Sequence, residues 1–175
     1  MKLLAFAASS SSKSINKQLV TYAASLVEGA DVEILDINDY EMPLFSQDKE
    51  AELGQPVQAQ QFFAKIAEAD AIIISFAEHN GAYTAAYKNL FDWTSRIDQE
   101  VFQHTPLILL ATSPGSGGAK SVLTAATGSA SYFAGDVKAS LSIPSFFDNF
   151  DIKAGVLCNE ELKQALIEAV SALAP

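Results

Sequence analysis

Cysteine is almost missing from this chain: its 175 residues contain one, Cys158, at the end of the run VLC. One thiol cannot close an intrachain disulfide, which excludes a disulfide-stapled fold and makes a reducing compartment the expectation. Beside apolar neighbours, a lone Cys is expected to pack as a small apolar side chain. Glycine (9) and proline (6) are also sparse, so the chain is neither collagen-like nor low-complexity. Long apolar runs are lacking too. No stretch approaches the ~18 apolar residues of a membrane span. Residues 3–8, after Lys2, are shorter than the apolar region of a secretory signal, about 7–15 residues. A cytoplasmic protein without a membrane partner is the expectation.

Positive charge is the next scarcity. The 11 Lys and Arg face 21 Asp and Glu, for a net charge of −10 and a pI near 4.5. Nucleic acid and anionic lipid both need a basic footprint, so neither is expected as a partner. Acid, in turn, is unevenly spread: all 21 acidic residues lie at or after Glu28. The first 27 residues carry Lys2, Lys13 and Lys17 and no Asp or Glu. That opening segment is expected to face something negative.

What is present reads as one globular domain over residues 1–175, 49% hydrophobic and 18% charged. Five short apolar runs recur: KLLAFAA (2–8), DVEILDI (31–37), DAIIISFA (70–77), PLILLAT (106–112) and VKASLSI (137–143). The first, third and fourth are apolar nearly throughout, as central parallel strands covered on both faces are. The second and fifth alternate, which suits edges. Helical spacing fills the gaps. Ile15, Leu19, Tyr22 and Leu26 share a face ahead of Gly29, the expected C-cap. Phe62, Phe63 and Ile66 mark a helix over 57–68; Thr84 and Asn159 are expected N-caps of two more; and 118–134 reads as a small-residue helix. Residues 41–56 read as a long surface loop. The alternation predicts an α/β fold, a five-stranded parallel sheet of order 2-1-3-4-5 with helices on both faces.

In such a sheet, ligands sit beyond the carboxyl ends of the strands where the strand order reverses. The loops expected there are SSSSKSIN (9–16), EHNGAYT (78–84) and SPGSGG (113–118). The serine run leads into a helix N-terminus, whose free N–H groups and partial positive charge suit a phosphate. A polar turn with an N-cap is the plainer alternative. The glycines allow close approach to a flat ligand, and His79 is either a ring contact or an ordinary exposed histidine. No His, Cys or carboxylate set has metal-ligand spacing, and no nucleophile motif is present. A redox cofactor that brings its own chemistry accounts for this poverty of catalytic side chains.

Residues 8–16, ASSSSKSIN, are similar to the motif G-S-x-R-x-x-S-x-N through Ser9, Ser14 and Asn16. Residues 77–93, AEHNGAYTAAYKNLFDW, are similar to P-E-Y-N-G-x-x-P-G-x-L-K-N-x-x-D-W through Glu78, Asn80, Gly81, Lys88, Asn89, Asp92 and Trp93. With PLFSQD (43–48) and SPGSGG, the chain resembles the NADPH-dependent FMN reductases, which include quinone and chromate reductases of flavodoxin-like fold. The resemblance implies FMN as cofactor, NAD(P)H as donor, a small-molecule electron acceptor such as a quinone or flavin, and a homodimer or homotetramer. It implies that Ser9, Ser11, Lys13, Ser14, Ile15 and Asn16 hold the FMN phosphate. Glu78, His79, Asn80 and Gly81 would line the ring, and Ser113, Gly115, Gly117 and Gly118 its other end, with no catalytic side chain. Lys88, Asn89, Asp92 and Trp93 would serve packing and a subunit interface. Three positions depart from the pattern. Ser11 stands in place of the phosphate-binding arginine, His79 in place of an aromatic, and Thr84-Ala85 in place of Pro-Gly. A flavodoxin-like electron carrier and a relative that has lost FMN are the alternatives.

Overall fold

Strand β1 (Lys2–Ala8) is buried from Leu3 onward, and β3 (Ala71–Phe76) along its whole length. Alternate residues of a strand face opposite sides of a sheet. Accordingly Leu4, Phe6, Ile72, Ile74 and Phe76 enter one hydrophobic cluster, while Leu3, Ala5, Ala71 and Ile73 enter the other. Both strands are therefore central. In this computed structural model, which describes residues 1–173, five strands form a parallel sheet. Its other members are β2 (Asp31–Leu35), β6 (Pro106–Thr112) and β7 (Asp136–Ile143), and the order is β2-β1-β3-β6-β7. This is the expected 2-1-3-4-5 arrangement, with the two alternating segments at the edges.

Helices cover both faces. Helix α1 (Ile15–Ser25) packs on one. On the other lie α3 (Val57–Ala67), α4 (Ala85–Thr94) and α5 (Lys120–Ser129), preceded in the chain by α2 (Gln47–Leu53). The C-terminal α7 (Glu160–Ser171) joins α1 by burying Leu166 and Val170. The expected caps form: Thr84 Oγ1 accepts from the Tyr87 N–H at 3.3 Å and Asn159 Oδ1 from that of Leu162 at 3.1 Å. The face under α3 and α4 is rich in rings, with Phe6 and Phe62 meeting edge to face at 5.6 Å.

Several local expectations need correction. The 41–56 segment contains α2, which the short polar sequence QDKEAEL hides because none of its residues is buried. Helix α1 is capped by Leu26 in right-handed geometry, and Gly29 (φ 71°) instead turns the chain into β2. The small-residue helix shortens to α5 and finishes as a 3-10 turn over Ala130–Phe133. Residues 78–83 form a hairpin, β4 (Glu78–His79) and β5 (Ala82–Tyr83). Its turn places Asn80 (φ 54°) and Gly81 (φ 76°) both at positive φ, the backbone for which Asn-Gly is suited. After β7 come a short helix α6 (Phe146–Asn149) and a second hairpin, β8 (Phe150–Asp151) with β9 (Val156–Leu157). There Leu157 takes the buried position, so Cys158 is exposed rather than packed.

Candidate functional site

The serine loop leaves β1 at Ala8 and enters α1 through Ser14, whose side chain accepts from the Lys17 N–H at 3.2 Å. The other serines order the loop locally. Ser9 Oγ accepts from the Ser11 N–H, and Ser11 Oγ from the Lys13 N–H, both at 3.3 Å. Among the described residues, the N–H groups of Ser10, Ser12, Ile15 and Asn16 have no acceptor. Four donors thus gather at a helix N-terminus, where the helix dipole adds positive potential. Lys17 is neutralised by Asp36 at 2.6 Å. The Lys17 ammonium, seconded by the Asn38 N–H, holds the Asp36 carboxyl below its ordinary value, against a partial burial that raises it. Lys13 is exposed and has no ion pair among the described residues, which leaves it as the loop's unpaired charge.

The hairpin stands next to this loop because Thr84 Oγ1 donates to the Ala8 carbonyl at 3.0 Å. Asn80 and Gly81 form its exposed tip, and His79 is exposed beside them. Glu78 has a structural contact of its own. Its Oε2 accepts from the Val122 N–H at 2.9 Å, capping α5 from outside, because that helix begins at Ala119 in left-handed geometry with no cap side chain of its own.

The glycine loop divides in two. A Cβ on Gly115 or Gly117 would meet nothing within 4 Å, so both face open space. Gly118 (φ 59°) is a packing requirement: a Cβ there would lie 2.3 Å from Ser142 Oγ and 3.2 Å from Pro144 Cα. The loop carbonyls turn inward. Ser113 O accepts from the Phe146 N–H and Gly115 O from the Ser145 N–H, at 3.0 and 2.9 Å. The N–H groups of Gly115, Ser116 and Gly117 have no acceptor among the described residues.

The Asn16 side chain is turned into the protein. It is 2% exposed, and its amide bonds Ser75 Oγ and both main-chain groups of Thr112. Its neighbours Ser75 and Thr112 were not singled out in the sequence. The available signal was a hydroxyl inside the otherwise apolar strand IIISF. The motif residues of α4 also have visible work. The Asn89 side chain accepts from the Phe45 N–H at 2.8 Å and donates to the Met42 and Pro43 carbonyls, and Trp93 Nε1 donates to the Pro43 carbonyl at 2.7 Å. They pin the segment after β2 to α4. Lys88 and Asp92 pair on the surface at 2.6 Å.

Two cavities bear on the site. A groove of about 360 Å³ beside the serine loop is lined by Ser10, Asn38, Tyr40, Met42, Leu44 and Asn89, among others. A more apolar one of about 250 Å³ lies between α4 and α5, with Tyr83, Phe91 and Phe133 in its wall. Its Tyr87 is fully buried, which pushes the phenol pKa far up and keeps it neutral. Among the described residues, no three His, Cys, Asp or Glu side chains converge as metal ligands, and no helix is long and apolar enough to cross a membrane.

The sequence model of the NADPH-dependent FMN reductases matches residues 1–148. The chain belongs to this family. Within the wider group of relatives, the chain is 35% identical over 95 residues to an NADPH:quinone oxidoreductase of Arabidopsis thaliana, a match covering 54% of this chain and 47% of the plant protein. It therefore spans about half the length of that relative. It is 29% identical over 177 residues to the NADH-dependent flavin reductase subunit 2 of Lactobacillus johnsonii, covering 95% of this chain and 91% of that protein. In fold it is similar to FerB, a flavoenzyme NAD(P)H:(acceptor) oxidoreductase from Paracoccus denitrificans. That likeness has a TM-score of 0.77 at 22% identity and covers 98% of this chain and 94% of the other. For a member of an FMN reductase family the rim is chemically suitable. Its unmatched donors suit a phosphate, and the open side of Gly115 and Gly117 suits a flat ring.

Proposed function

We propose that this protein is a cytoplasmic NAD(P)H-dependent FMN oxidoreductase acting on a quinone, a flavin or a similar small acceptor. The observation that carries the reading is the set of unmatched N–H donors in the serine loop and the first turn of α1, within an opening segment of 27 residues that has no Asp or Glu. FMN held there would supply hydride chemistry, taking electrons from the nicotinamide and releasing them to the acceptor in alternating half-reactions. The side chains bind and orient. Ser9, Ser11 and Ser14 shape the phosphate loop, and Ile15 and Asn16 offer N–H groups. Lys13 adds charge without the bidentate fork of the arginine that Ser11 replaces.

The hairpin tip, His79 to Gly81, would line the ring on one side. The unmatched N–H groups of Gly115 to Gly117 would line it on the other, where fixed donors would favour negative charge developing on the ring. Glu78 acts indirectly, by fixing α5 and with it the end of the glycine loop. The exposed Lys88–Asp92 pair and the neighbouring apolar cavity support α4 as part of a homodimer contact.

The test is to purify the protein, titrate it with FMN while recording the visible spectrum, and follow NADH and NADPH oxidation with a quinone present. Flavin binding with nicotinamide turnover is expected. Absence of a bound-flavin band at saturating FMN would refute the reading. A bound flavin with no nicotinamide turnover would make the protein an electron carrier instead.

A further inference from the structure

The Asn16 amide makes three hydrogen bonds, and all of them lead to strand ends. Its Oδ1 accepts from Ser75 Oγ at 2.7 Å and from the Thr112 N–H at 3.1 Å, while Nδ2 donates to the Thr112 carbonyl at 3.1 Å. Contact with both main-chain groups of Thr112 settles which end of the amide is oxygen. Ser75 and Thr112 are 0% and 1% exposed, so no ligand reaches either side chain. Phe76↔Ala111 is the last pairing between β3 and β6. Just beyond it the strands part, and Asn16 supplies the partner that Thr112 would otherwise lack. Thr112 Oγ1 in turn donates to the Ile143 carbonyl at 2.7 Å, which carries the connection to β7.

Position in the chain gives this cluster its meaning. Thr112 immediately precedes the glycine loop, and Asn16 lies two residues after Ser14, the cap of α1. The serine loop and the glycine loop are thus joined through one buried amide. We propose that Asn16 is a positioning residue, which with Ser75 and Thr112 sets the spacing of the two loops and so governs affinity for the whole flavin rather than for its phosphate alone. The inference rests on the rim being the flavin site. Buried polar groups are costly to leave unpaired, so a broken clamp must rearrange the loops or lose hydrogen bonds.

FMN and riboflavin, which differ by the phosphate, separate the two roles. Dissociation constants for both would be measured by flavin fluorescence on wild type, Asn16→Leu and Ser75→Ala, with melting followed by circular dichroism. Asn16→Leu leaves both main-chain groups of Thr112 unpaired without adding charge beside the serine loop, and should weaken both flavins more than about tenfold, their ratio holding within about twofold. Ser75→Ala removes one bond and should weaken both about threefold to tenfold. Leu166→Val, in α7 on the same face of the sheet, controls for general loss of stability and should leave both constants unchanged. A loss confined to FMN would make Asn16 a phosphate ligand and overturn the proposal. So would wild-type affinities in Ser75→Ala, which decides the matter alone if Asn16→Leu does not fold. Wild-type protein that binds neither flavin overturns both this inference and the flavin reading beneath it.

Discussion

Two helices begin at the rim, and their N-termini are treated in opposite ways. Helix α1 caps itself with the neutral hydroxyl of Ser14, which takes the Lys17 N–H and leaves those of Ile15 and Asn16 unmatched. Helix α5 starts from Ala119 without a cap side chain, and the Glu78 carboxylate reaches over from the hairpin to take the Val122 N–H. An anion already sits at the second N-terminus. The first has none among the described residues. Both helix ends carry similar partial charge, so on the proposed reading it is the cap that directs a phosphate to α1. The charge of the surrounding sequence does not make this choice, since residues 101–135 around α5 lack Asp and Glu just as residues 1–27 do.

Glu78→Ala breaks the comparison most severely. Loss of a charge-assisted cap should destabilise the protein by about 1–2 kcal/mol, lowering Tm by several degrees in a thermal melt. Glu78→Gln keeps an oxygen acceptor and should lose less. Ser11→Arg sharpens the other side. A guanidinium in the serine loop should tighten FMN about tenfold and leave riboflavin unchanged, as read by fluorescence titration. Equal affinity of both variants for FMN would remove Ser11 from the phosphate site.

Lys17→Met has the smallest expected effect, because the Lys17–Asp36 pair is partly exposed. The folded-state pKa of Asp36 lies below its ordinary value. The pair therefore stabilises the fold above the ordinary carboxylate range, about pH 4, and that contribution fades as pH falls through the lowered pKa. Without Lys17, Asp36 should titrate higher, and the acid limb of the stability curve should flatten slightly. NMR titration of the carboxyl measures the first effect directly.

The features legible in the sequence were those that local chemistry dictates. The run IIISF has no polar face to offer solvent, so it had to be central, and Asn159 followed by two glutamates begins a helix in any context. Asn-Gly carried a hairpin signal too, but the strands beside it are two residues each, too short for periodicity to register. Helix α2 buries nothing and so leaves no apolar stripe to read. The roles of Glu78 and Asn16 depend on partners 44 and 96 residues away, Val122 and Thr112, and spacing along the chain does not encode such contacts. Motif similarity singled out both residues, but it carries no information on these intrachain contacts.

The most direct test of the α1 assignment is Ser14→Asp, followed by titration with FMN and riboflavin. Aspartate caps a helix as well as serine does, so the fold and its Tm should be retained, while a fixed negative charge occupies the place assigned to the phosphate. FMN affinity should fall more than about tenfold, with riboflavin affinity nearly unchanged. Undiminished FMN binding in a folded Ser14→Asp protein would contradict the placement of the phosphate at α1.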